Sequence, residues 1–319
     1  MTIGKKKLLI TESDNFSVKA LTILNEFFQV KIGRIENREE LKLEIADADI
    51  IFVRLGFVID KEIISKATNL KFILTATTGL DHIDTNYFES VGGEVISLKG
   101  EVGFLKSIPS TAEHTWGLLI ALLKRIPSAY DHVKNGGWDR NLYINTNLKG
   151  KKIGILGFGR VGTQVANFAK AFDMEVGFFD VKDIDSQFVK FYAPEEMFDW
   201  ADIISLHIPF SLENKKIVNK NLLSYINKEA VLINTSRGGI WDEDEVARLI
   251  KCGQIKGVAT DVLENELYAE SILSNPLVEL SKQNFNIIIT PHIAGATKES
   301  MEMTEEFIVE KFLQKWIVL

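Results

Sequence analysis

The sequence predicts an α/β protein made of two doubly wound parallel-sheet domains. Short apolar runs of strand length alternate with segments of helical apolar spacing along the chain, as in parallel sheets that helices cover on both faces. A glycine-rich turn at residues 157–162 joins a strand to a helix near the middle of the chain. The chain has 319 residues, 46% of them hydrophobic, which is enough for two domain cores.

The first hundred residues supply one of these domains. Strands are predicted at residues 7–11, 29–32, 50–54, 71–75 and 94–98. Helical patterns separate them, and Ser13 or Asp14 is expected to cap the first helix, residues 16–28. Because this part has the α/β alternation without a complete nucleotide motif, it is predicted to be the smaller domain.

A long helix is predicted at residues 110–126, between the two α/β parts. Ser110 and Glu113 are spaced as a capping box, in which each side chain satisfies a backbone N–H of the first turn. The glycines at residues 136–137 then break the helical order. Such a helix marks a domain junction.

Residues 151–180 contain a strand, the motif G-x-G-x-x-G, a helix, a second strand and an acid. Gly157 permits the tight turn, Gly159 lets a pyrophosphate approach the backbone, and Gly162 lets the helix pack on the strand. The helix N-terminus offers N–H groups to the phosphates. Asp180, close to the ~20-residue spacing expected after the motif, would bind a ribose hydroxyl and repel a 2′-phosphate. The segment therefore predicts binding of NAD rather than NADP.

Further strands are predicted at residues 203–207, 230–234, 257–261 and 287–290, with helices at residues 242–251 and 297–316. Asp242 is expected to cap the first of these helices, with Glu245 three positions on. In an open α/β sheet, ligands bind outside the carboxyl ends of the strands. Each strand end from residue 180 onward carries a charged or reactive side chain. These are Asp180, His207, Arg237, Asp261 and His292.

Three of these strand-end segments suggest hydride-transfer chemistry. The Arg237 guanidinium can hold a carboxylate through two donors and polarise a neighbouring carbonyl. The imidazole of His292 is suited to exchange a proton near neutral pH. A carboxylate would orient that ring and favour its protonated form, and spacing alone leaves Glu264 and Glu266 as alternatives for it.

Composition excludes several classes of function. A net charge of −7 argues against a nucleic-acid-binding protein, and no apolar run is long enough to span a bilayer. With a single cysteine, Cys252, and five scattered histidines, neither a disulfide framework nor a metal site is expected. No signal peptide precedes the first strand, so the cytoplasm is the expected location.

The assembled motifs closely resemble those of the D-isomer-specific 2-hydroxyacid dehydrogenases, particularly those like D-3-phosphoglycerate dehydrogenase. The matching segments are residues 78–81, 110–114, 157–162 with Asp180, 207–209, 234–239, 261–266 and 291–295. The resemblance implies a Rossmann-type NAD-binding domain at residues 104–295. It also implies a smaller flavodoxin-like substrate-binding domain at residues 1–103, completed by residues 296–319. Some members of the family append a regulatory domain, which is not expected here because the sequence ends at Leu319.

Residue roles also follow from the resemblance. It implies that Arg237 binds the substrate carboxylate and carbonyl and that His292 is the acid/base. It selects Glu266 over Glu264 as the histidine's partner. The implied cofactor-binding residues are Thr78, Gly157, Gly159, Arg160, Val161, Gly162, Asp180, His207, Pro209, Thr235, Ser236, Asp261 and Gly295. The implied substrate-binding residues are Arg54, Thr77, Gly79, Arg237 and His292.

The resemblance implies a homodimeric, NAD-dependent oxidoreductase that interconverts a D-2-hydroxy acid and its 2-oxo acid. Residues 55–57 and 267–268 depart from the family pattern, beside Arg54 and Glu266 respectively, where substrate is selected. Phosphoglycerate, hydroxypyruvate or glyoxylate, and lactate-like acids therefore stay open as substrates. A binding module that senses NAD and a hydride transfer from a donor such as phosphite are the alternative functions on this fold.

Overall fold

The computed structural model of the protein describes residues 5–317, which form two compact units. One unit contains the chain up to Leu105 and resumes at Ala296, and the other is Lys106–Gly295. The predicted domain crossings near residues 103 and 295 lie close to these limits. Among residues 5–317, no helix has both the length and the apolar character needed to cross a bilayer.

The first unit opens with alternating strands and helices, in chain order. They are β1 (Lys7–Ile10), α1 (Val18–Phe27), β2 (Gln29–Ile32), α2 (Arg38–Ile45), β3 (Ile50–Val53), α3 (Lys61–Lys66), β4 (Phe72–Thr75), α4 (Thr85–Ser90), β5 (Glu94–Ile96) and α5 (Val102–Leu105). All the strands are parallel, in the order β2-β1-β3-β4-β5. This is the flavodoxin-like order, whose direction reverses between β1 and β3.

The expected cap of the first helix is wrong. Ser17 caps α1, its hydroxyl accepting a hydrogen bond from the Ala20 N–H. Ser13 instead belongs to a turn in which its carbonyl accepts from the Phe16 N–H at 3.1 Å. The helix therefore begins later than the apolar spacing indicated.

The long helix predicted at residues 110–126 is two helices, α6 (Ser110–Leu123) and α7 (Ile126–Lys134). Arg125 between them adopts a left-handed φ of 51°, and Pro127 has no N–H to continue the hydrogen bonds of α6. The predicted capping box is also wrong. Ser110 already lies inside the helix, and Pro109 takes the cap position without a side-chain hydrogen bond.

The rest of the second unit alternates strands and helices after α7. They are β6 (Lys152–Leu156), α8 (Arg160–Ala171), β7 (Glu175–Phe179), β8 (Val189–Lys190), α9 (Pro194–Trp200), β9 (Ile203–Leu206), α10 (Lys220–Leu223), β10 (Val231–Asn234), α11 (Glu243–Lys251), β11 (Gly257–Thr260), α12 (Ala269–Leu273), α13 (Pro276–Lys282) and β12 (Ile287–Ile289). Asp242 precedes α11 but makes no side-chain cap, and Glu245 pairs with Arg248 instead.

The second sheet is parallel throughout, in the order β12-β11-β10-β9-β6-β7-β8. Its direction reverses between β6 and β9, which is the Rossmann arrangement. One apolar cluster packs α6 and α8 against one face of the sheet, and another packs α9, α11 and α13 against the opposite face. The predicted fold class, two doubly wound parallel sheets, is confirmed.

The final helix, α14 (Lys298–Trp316), belongs to the first unit. Thr297 caps it by accepting from the Ser300 N–H. Phe312 stacks on Phe28 with ring centroids 5.6 Å apart and lies 5.1 Å from the Phe72 ring. These buried ring contacts fix α14 against the first sheet.

Candidate active site

The glycine turn after β6 has the geometry that the motif predicts. Gly157 has a φ of +94°, and a Cβ there would lie 2.7 Å from the His207 carbonyl oxygen. A Cβ on Gly162 would lie 2.2 Å from the Gly157 carbonyl oxygen. Both positions therefore require glycine, and they bring the start of α8 directly against the end of β6.

The turn fits the pyrophosphate and ribose of a dinucleotide. In the described chain, no side chain caps the N-terminus of α8, which begins at Arg160 after Gly159. Unpaired N–H groups at a helix start bind phosphate. Asp180, at the end of β7, accepts from the backbone N–H groups of Phe158 at 2.8 Å and Lys182 at 2.9 Å. Its carboxylate is therefore fixed beside the turn, where a ribose hydroxyl can reach it.

His207 follows β9, across the reversal point from β6. Its backbone N–H donates to the Leu156 carbonyl at 2.7 Å, and its ring Nε2 lies 2.8 Å from the Ser205 hydroxyl. Burial, with a smaller contribution from the Arg160 guanidinium, lowers the pKa of His207 to about 3. The imidazole is therefore neutral at physiological pH and lines the turn without adding charge.

The loop that carries Arg237 is shaped by the buried side chain of Asn234. The Asn234 Oδ1 accepts from the Ser236 N–H at 3.0 Å and from its hydroxyl at 2.8 Å. The Asn234 Nδ2 donates to the Arg237 carbonyl at 3.0 Å. The half-buried Arg237 side chain also donates from Nη1 to the Ser236 carbonyl at 2.8 Å. The guanidinium is thereby held at the carboxyl end of β10.

The Arg237 loop packs directly on the loop after β11. A Cβ on Gly238 would lie 2.0 Å from the Leu263 carbonyl carbon and 2.2 Å from the Glu264 nitrogen. Only glycine permits such an approach. The backbone that follows Arg237 therefore touches the loop that leads to Glu266.

Glu266 and His292 are in contact. The Glu266 Oε1 is hydrogen-bonded to the His292 Nδ1, and its Oε2 accepts from the Leu263 N–H at 2.9 Å. Glu264, the alternative partner by spacing, does not take this role: its Oε2 lies 3.6 Å from the Lys216 ammonium. With Nδ1 engaged, Nε2 is the His292 nitrogen that can exchange a proton with a ligand.

Asp261 fixes the backbone around His292. Its buried carboxylate accepts from the N–H groups of Ile293 at 2.9 Å and Ala294 at 2.7 Å. Its carbonyl accepts from the His292 N–H at 2.8 Å. His292 has a left-handed φ of 54°, which costs free energy and persists only where neighbours enforce it. The contacts of Asp261 provide that enforcement.

Two further residues of this network were missed by the sequence reasoning. The buried Glu243 carboxylate accepts from the Glu264 N–H at 2.9 Å and the Asn275 amide at 2.6 Å, and burial raises its pKa. The His114 Nε2 lies 3.0 Å from the Thr290 hydroxyl and 3.4 Å from the Asp261 Oδ1. For Glu243 the sequence signal was an acid at the start of an apolar helix. For His114 it was a histidine inside a helix, within the matching segment 110–114.

The predicted site residues of the first unit follow β3 and β4. The Thr77 hydroxyl donates to the Gly79 carbonyl at 2.9 Å, and Thr78 lies in the same turn. The Arg54 guanidinium is ion-paired with Glu305 of α14. Over residues 5–317, His, Cys, Asp and Glu side chains form no group of three that could hold a metal ion.

Comparison with known proteins agrees with this geometry. Residues 116–294 match the family model described as D-isomer specific 2-hydroxyacid dehydrogenase, NAD binding domain. The chain is 33% identical to D-3-phosphoglycerate dehydrogenase of Methanocaldococcus jannaschii, covering 96% of this chain and 56% of that protein. It is 30% identical to hydroxypyruvate reductase of Thermotoga maritima, covering 92% and 93% respectively.

A solved D-lactate dehydrogenase from Aquifex aeolicus, complexed with NAD and lactic acid, has a TM-score of 0.81 and 27% identity, covering 98% of this chain and 95% of that one. The chain spans about half the length of the D-3-phosphoglycerate dehydrogenases it matches. These findings confirm the predicted family and the predicted cofactor, NAD.

Proposed function

Because the chain belongs to the D-isomer specific 2-hydroxyacid dehydrogenase family, we propose that it interconverts a D-2-hydroxy acid and its 2-oxo acid with NAD(H). The observation that carries the proposal is the Glu266–His292 pair, which neighbours the Arg237 loop at the carboxyl ends of adjacent strands. The substrate candidates are 3-phosphoglycerate, hydroxypyruvate or glyoxylate, and lactate-like acids.

Arg237 would bind the substrate carboxylate and polarise the neighbouring carbonyl. Its guanidinium is permanently charged, and two of its N–H groups can grip one carboxylate in a fixed plane. The support for this role is the Asn234 network, which fixes the loop before any ligand binds. Pre-organisation of this kind lowers the entropic cost of orienting the substrate.

His292 would exchange the proton. In the reducing direction, its Nε2–H donates to the oxo oxygen as that atom gains negative charge, and in oxidation the neutral ring takes the proton back. Glu266 orients the ring through its hydrogen bond with Nδ1. NADH supplies the hydride when it is bound at the glycine turn and Asp180.

The direct test is NADH oxidation, followed by absorbance, with a panel of 2-oxo acids that includes glyoxylate, pyruvate and hydroxypyruvate. We expect turnover with at least one member, and a D-configured product wherever the product is chiral, as with pyruvate and hydroxypyruvate. Tight NADH binding without turnover over the whole panel contradicts the proposal and favours an NAD-sensing module. Reduction of NAD⁺ by phosphite, with no 2-oxo acid reduced by NADH, assigns the hydride donor to a different class.

Replacing Asp180 by serine is expected to lower the preference for NADH over NADPH by roughly 10- to 100-fold, because a carboxylate repels the 2′-phosphate. The measurement is the ratio of kcat/KM for the two cofactors. Asp183→Ser is the matched control, since this exposed acid lies in the same loop and pairs with Lys190. If Asp180→Ser leaves the ratio of kcat/KM for NADH and NADPH unchanged, Asp180 does not bind the adenosine ribose.

We also propose that the protein is a homodimer in a reducing, cytoplasmic compartment. The single cysteine accords with that compartment. The dimer is supported by residues 126–144, in which every residue of α7 is at least partly exposed. The exposed apolar side chains there are Ile126, Tyr130, Val133, Trp138, Leu142 and Ile144. Exposed apolar side chains concentrated in one segment favour a protein–protein interface, and in a symmetric dimer each subunit would bury the same segment.

Trp138→Glu is expected to convert the dimer to a monomer, because Trp138 is 90% exposed and the charge would be buried in the interface. Light scattering during size-exclusion chromatography gives the mass. Tyr192→Glu, at a position 82% exposed elsewhere in the same unit, is the control and should stay dimeric. A wild-type monomer at micromolar concentration contradicts the proposal.

A further inference from the structure

Glu243 is a buried carboxylate beside the candidate site that the proposed proton exchange does not use. It opens α11 and is only 6% exposed, and burial raises its pKa. An acid in the first turn of a helix stabilises the positive end of the helix dipole, but the exposed Asp244 next to it supplies that effect without burial. Because burying an ionisable carboxylate costs free energy, the burial of Glu243 needs a further explanation.

The two carboxylate oxygens of Glu243 hold both ends of the segment that contains Glu266. Its Oε1 accepts from the Glu264 N–H at 2.9 Å, and its Oε2 accepts from the Asn275 Nδ2 at 2.6 Å. Asn275 is itself buried and caps α13, where its Oδ1 accepts from the Leu277 N–H at 2.9 Å. The segment between Glu264 and Asn275 is therefore tied to the start of α11 at both ends.

This buried carboxylate binds a peptide group that is also packed from another direction. The N–H that it accepts from belongs to the peptide between Leu263 and Glu264, and a Cβ on Gly238 would lie 2.2 Å from the nitrogen of that peptide. The preceding N–H, that of Leu263, donates to the Glu266 Oε2 at 2.9 Å. The carboxylate of Glu266 is thus anchored on backbone whose next peptide is held between the Arg237 loop and α11.

The segment around Glu266 depends on these polar contacts, because apolar packing does little to hold it. None of residues 264–274, all of which the structure describes, is buried. Asn265, directly before Glu266, has a left-handed φ of 59°, a conformation that is uncommon outside glycine and that neighbouring contacts must maintain. Without its tie to α11, this stretch would have other conformations open to it.

We propose that Glu243 is a positioning residue: it fixes the segment that carries Glu266 and thereby holds that carboxylate against His292. Glu243 exchanges no proton in the reaction and acts through Glu266. Without it, the Glu266–His292 pair would form in only a fraction of the molecules. The inference rests on the proposed function and adds a residue to it. All the contacts that carry it lie within one unit, Lys106–Gly295.

Exchanging the acid and the amide tests the contacts. Glu243→Ala removes both hydrogen bonds, and Asn275→Asp sets two buried carboxylates against each other. We expect each to lower kcat about 10- to 100-fold, because a small displacement of an orienting group is enough for such a loss. In the double variant Glu243→Gln/Asn275→Asp, the amide at 243 donates to the carboxylate at 275 and its oxygen still accepts from the Glu264 N–H. We expect its kcat to lie within about threefold of wild type.

The controls separate positioning from a general loss of structure. Asp244→Asn, at the exposed neighbouring acid of α11, should keep the wild-type kcat. The Kd of NADH for each test variant should stay within about twofold of wild type. A double variant that folds and binds NADH but stays as slow as Asn275→Asp contradicts the inference, and so does a wild-type kcat in folded Glu243→Ala.

A double-mutant cycle shows whether Glu243 acts through the proton-exchanging pair. In the His292→Asn background there is no ring left to position, so Glu243→Ala should lower the residual kcat by less than about twofold. An unrelated structural contribution would lower it by the same factor as in the wild-type background. That outcome assigns Glu243 to the fold alone and overturns the inference.

The ring of His292 gives a measurement that needs no turnover. In protein labelled with ¹⁵N-histidine, its signals are identified by their loss in His292→Asn. We expect Glu243→Ala to move them toward their positions in Glu266→Ala, while the signals of the other four histidines stay in place. The isosteric Glu243→Gln gives the same comparison where Glu243→Ala does not fold. If no 2-oxo acid is reduced but the His292 signals move, the proposed function fails and the positioning stands; unmoved signals in the folded variant overturn the positioning.

Discussion

Replacing His292 by asparagine is expected to lower kcat by about 1000-fold, within the ~10²–10⁴ that general acid–base catalysis contributes. Asparagine is chosen because position 292 has a φ of 54°, a conformation that Asn, Asp and His adopt more readily than other residues. The backbone can then stay in place while the proton donor is lost. The measurement is steady-state NADH oxidation with the preferred 2-oxo acid.

NADH binding provides the necessary control for this variant. Its fluorescence titration should give a Kd within about twofold of wild type, because the glycine turn and Asp180 are distant in sequence and follow other strands. His132→Asn, at a histidine of α7 outside the site, should keep the wild-type rate. A His292→Asn rate within about threefold of wild type would falsify the acid/base assignment.

Arg237→Ala is expected to lower kcat/KM by roughly 10²- to 10³-fold, because an unpaired substrate carboxylate loses two charge-assisted hydrogen bonds. Arg237→Lys should recover little of this loss, since an ammonium keeps the charge but not the planar fork. Added guanidinium chloride at low millimolar concentration should partly restore Arg237→Ala and leave Arg237→Lys unchanged.

The controls for Arg237 separate binding from folding. Arg248→Ala removes an exposed arginine of α11 that pairs with Glu245, and it should behave as wild type. Thermal unfolding of the Arg237 variants should stay within a few degrees of wild type. Full activity of Arg237→Ala, or loss of its fold together with its activity, removes the evidence for a carboxylate-binding role.

The strands and their order of appearance were predictable from the sequence, because buried parallel strands give short continuous apolar runs. Helix ends were less predictable. The break after α6 depends on Arg125 adopting a left-handed conformation before Pro127, and an apolar pattern alone does not reveal it. The two-residue strand β8 (Val189–Lys190) is too short to give a periodic signal.

The side chains proposed to act in the site could be selected by position, since each lies in a segment that follows a strand, at the edge where ligands bind. Their supporting contacts were not. Asp261 holds the Ile293 and Ala294 N–H groups from 32 and 33 residues away in sequence. Arg54 pairs with Glu305 across 251 residues. Such contacts depend on which strands and helices become neighbours, so they appear only once the topology is known.

Arg237 and His292 are proposed to act on one bound 2-oxo acid. The most direct measurement is a crystal structure with NADH and oxamate, an unreactive analogue of a 2-oxo acid. We expect the Arg237 guanidinium to contact the oxamate carboxylate through two nitrogens and the His292 Nε2 to lie about 3 Å from the oxamate amide carbonyl oxygen. Oxamate bound with neither side chain in hydrogen-bonding distance would contradict a shared role for Arg237 and His292.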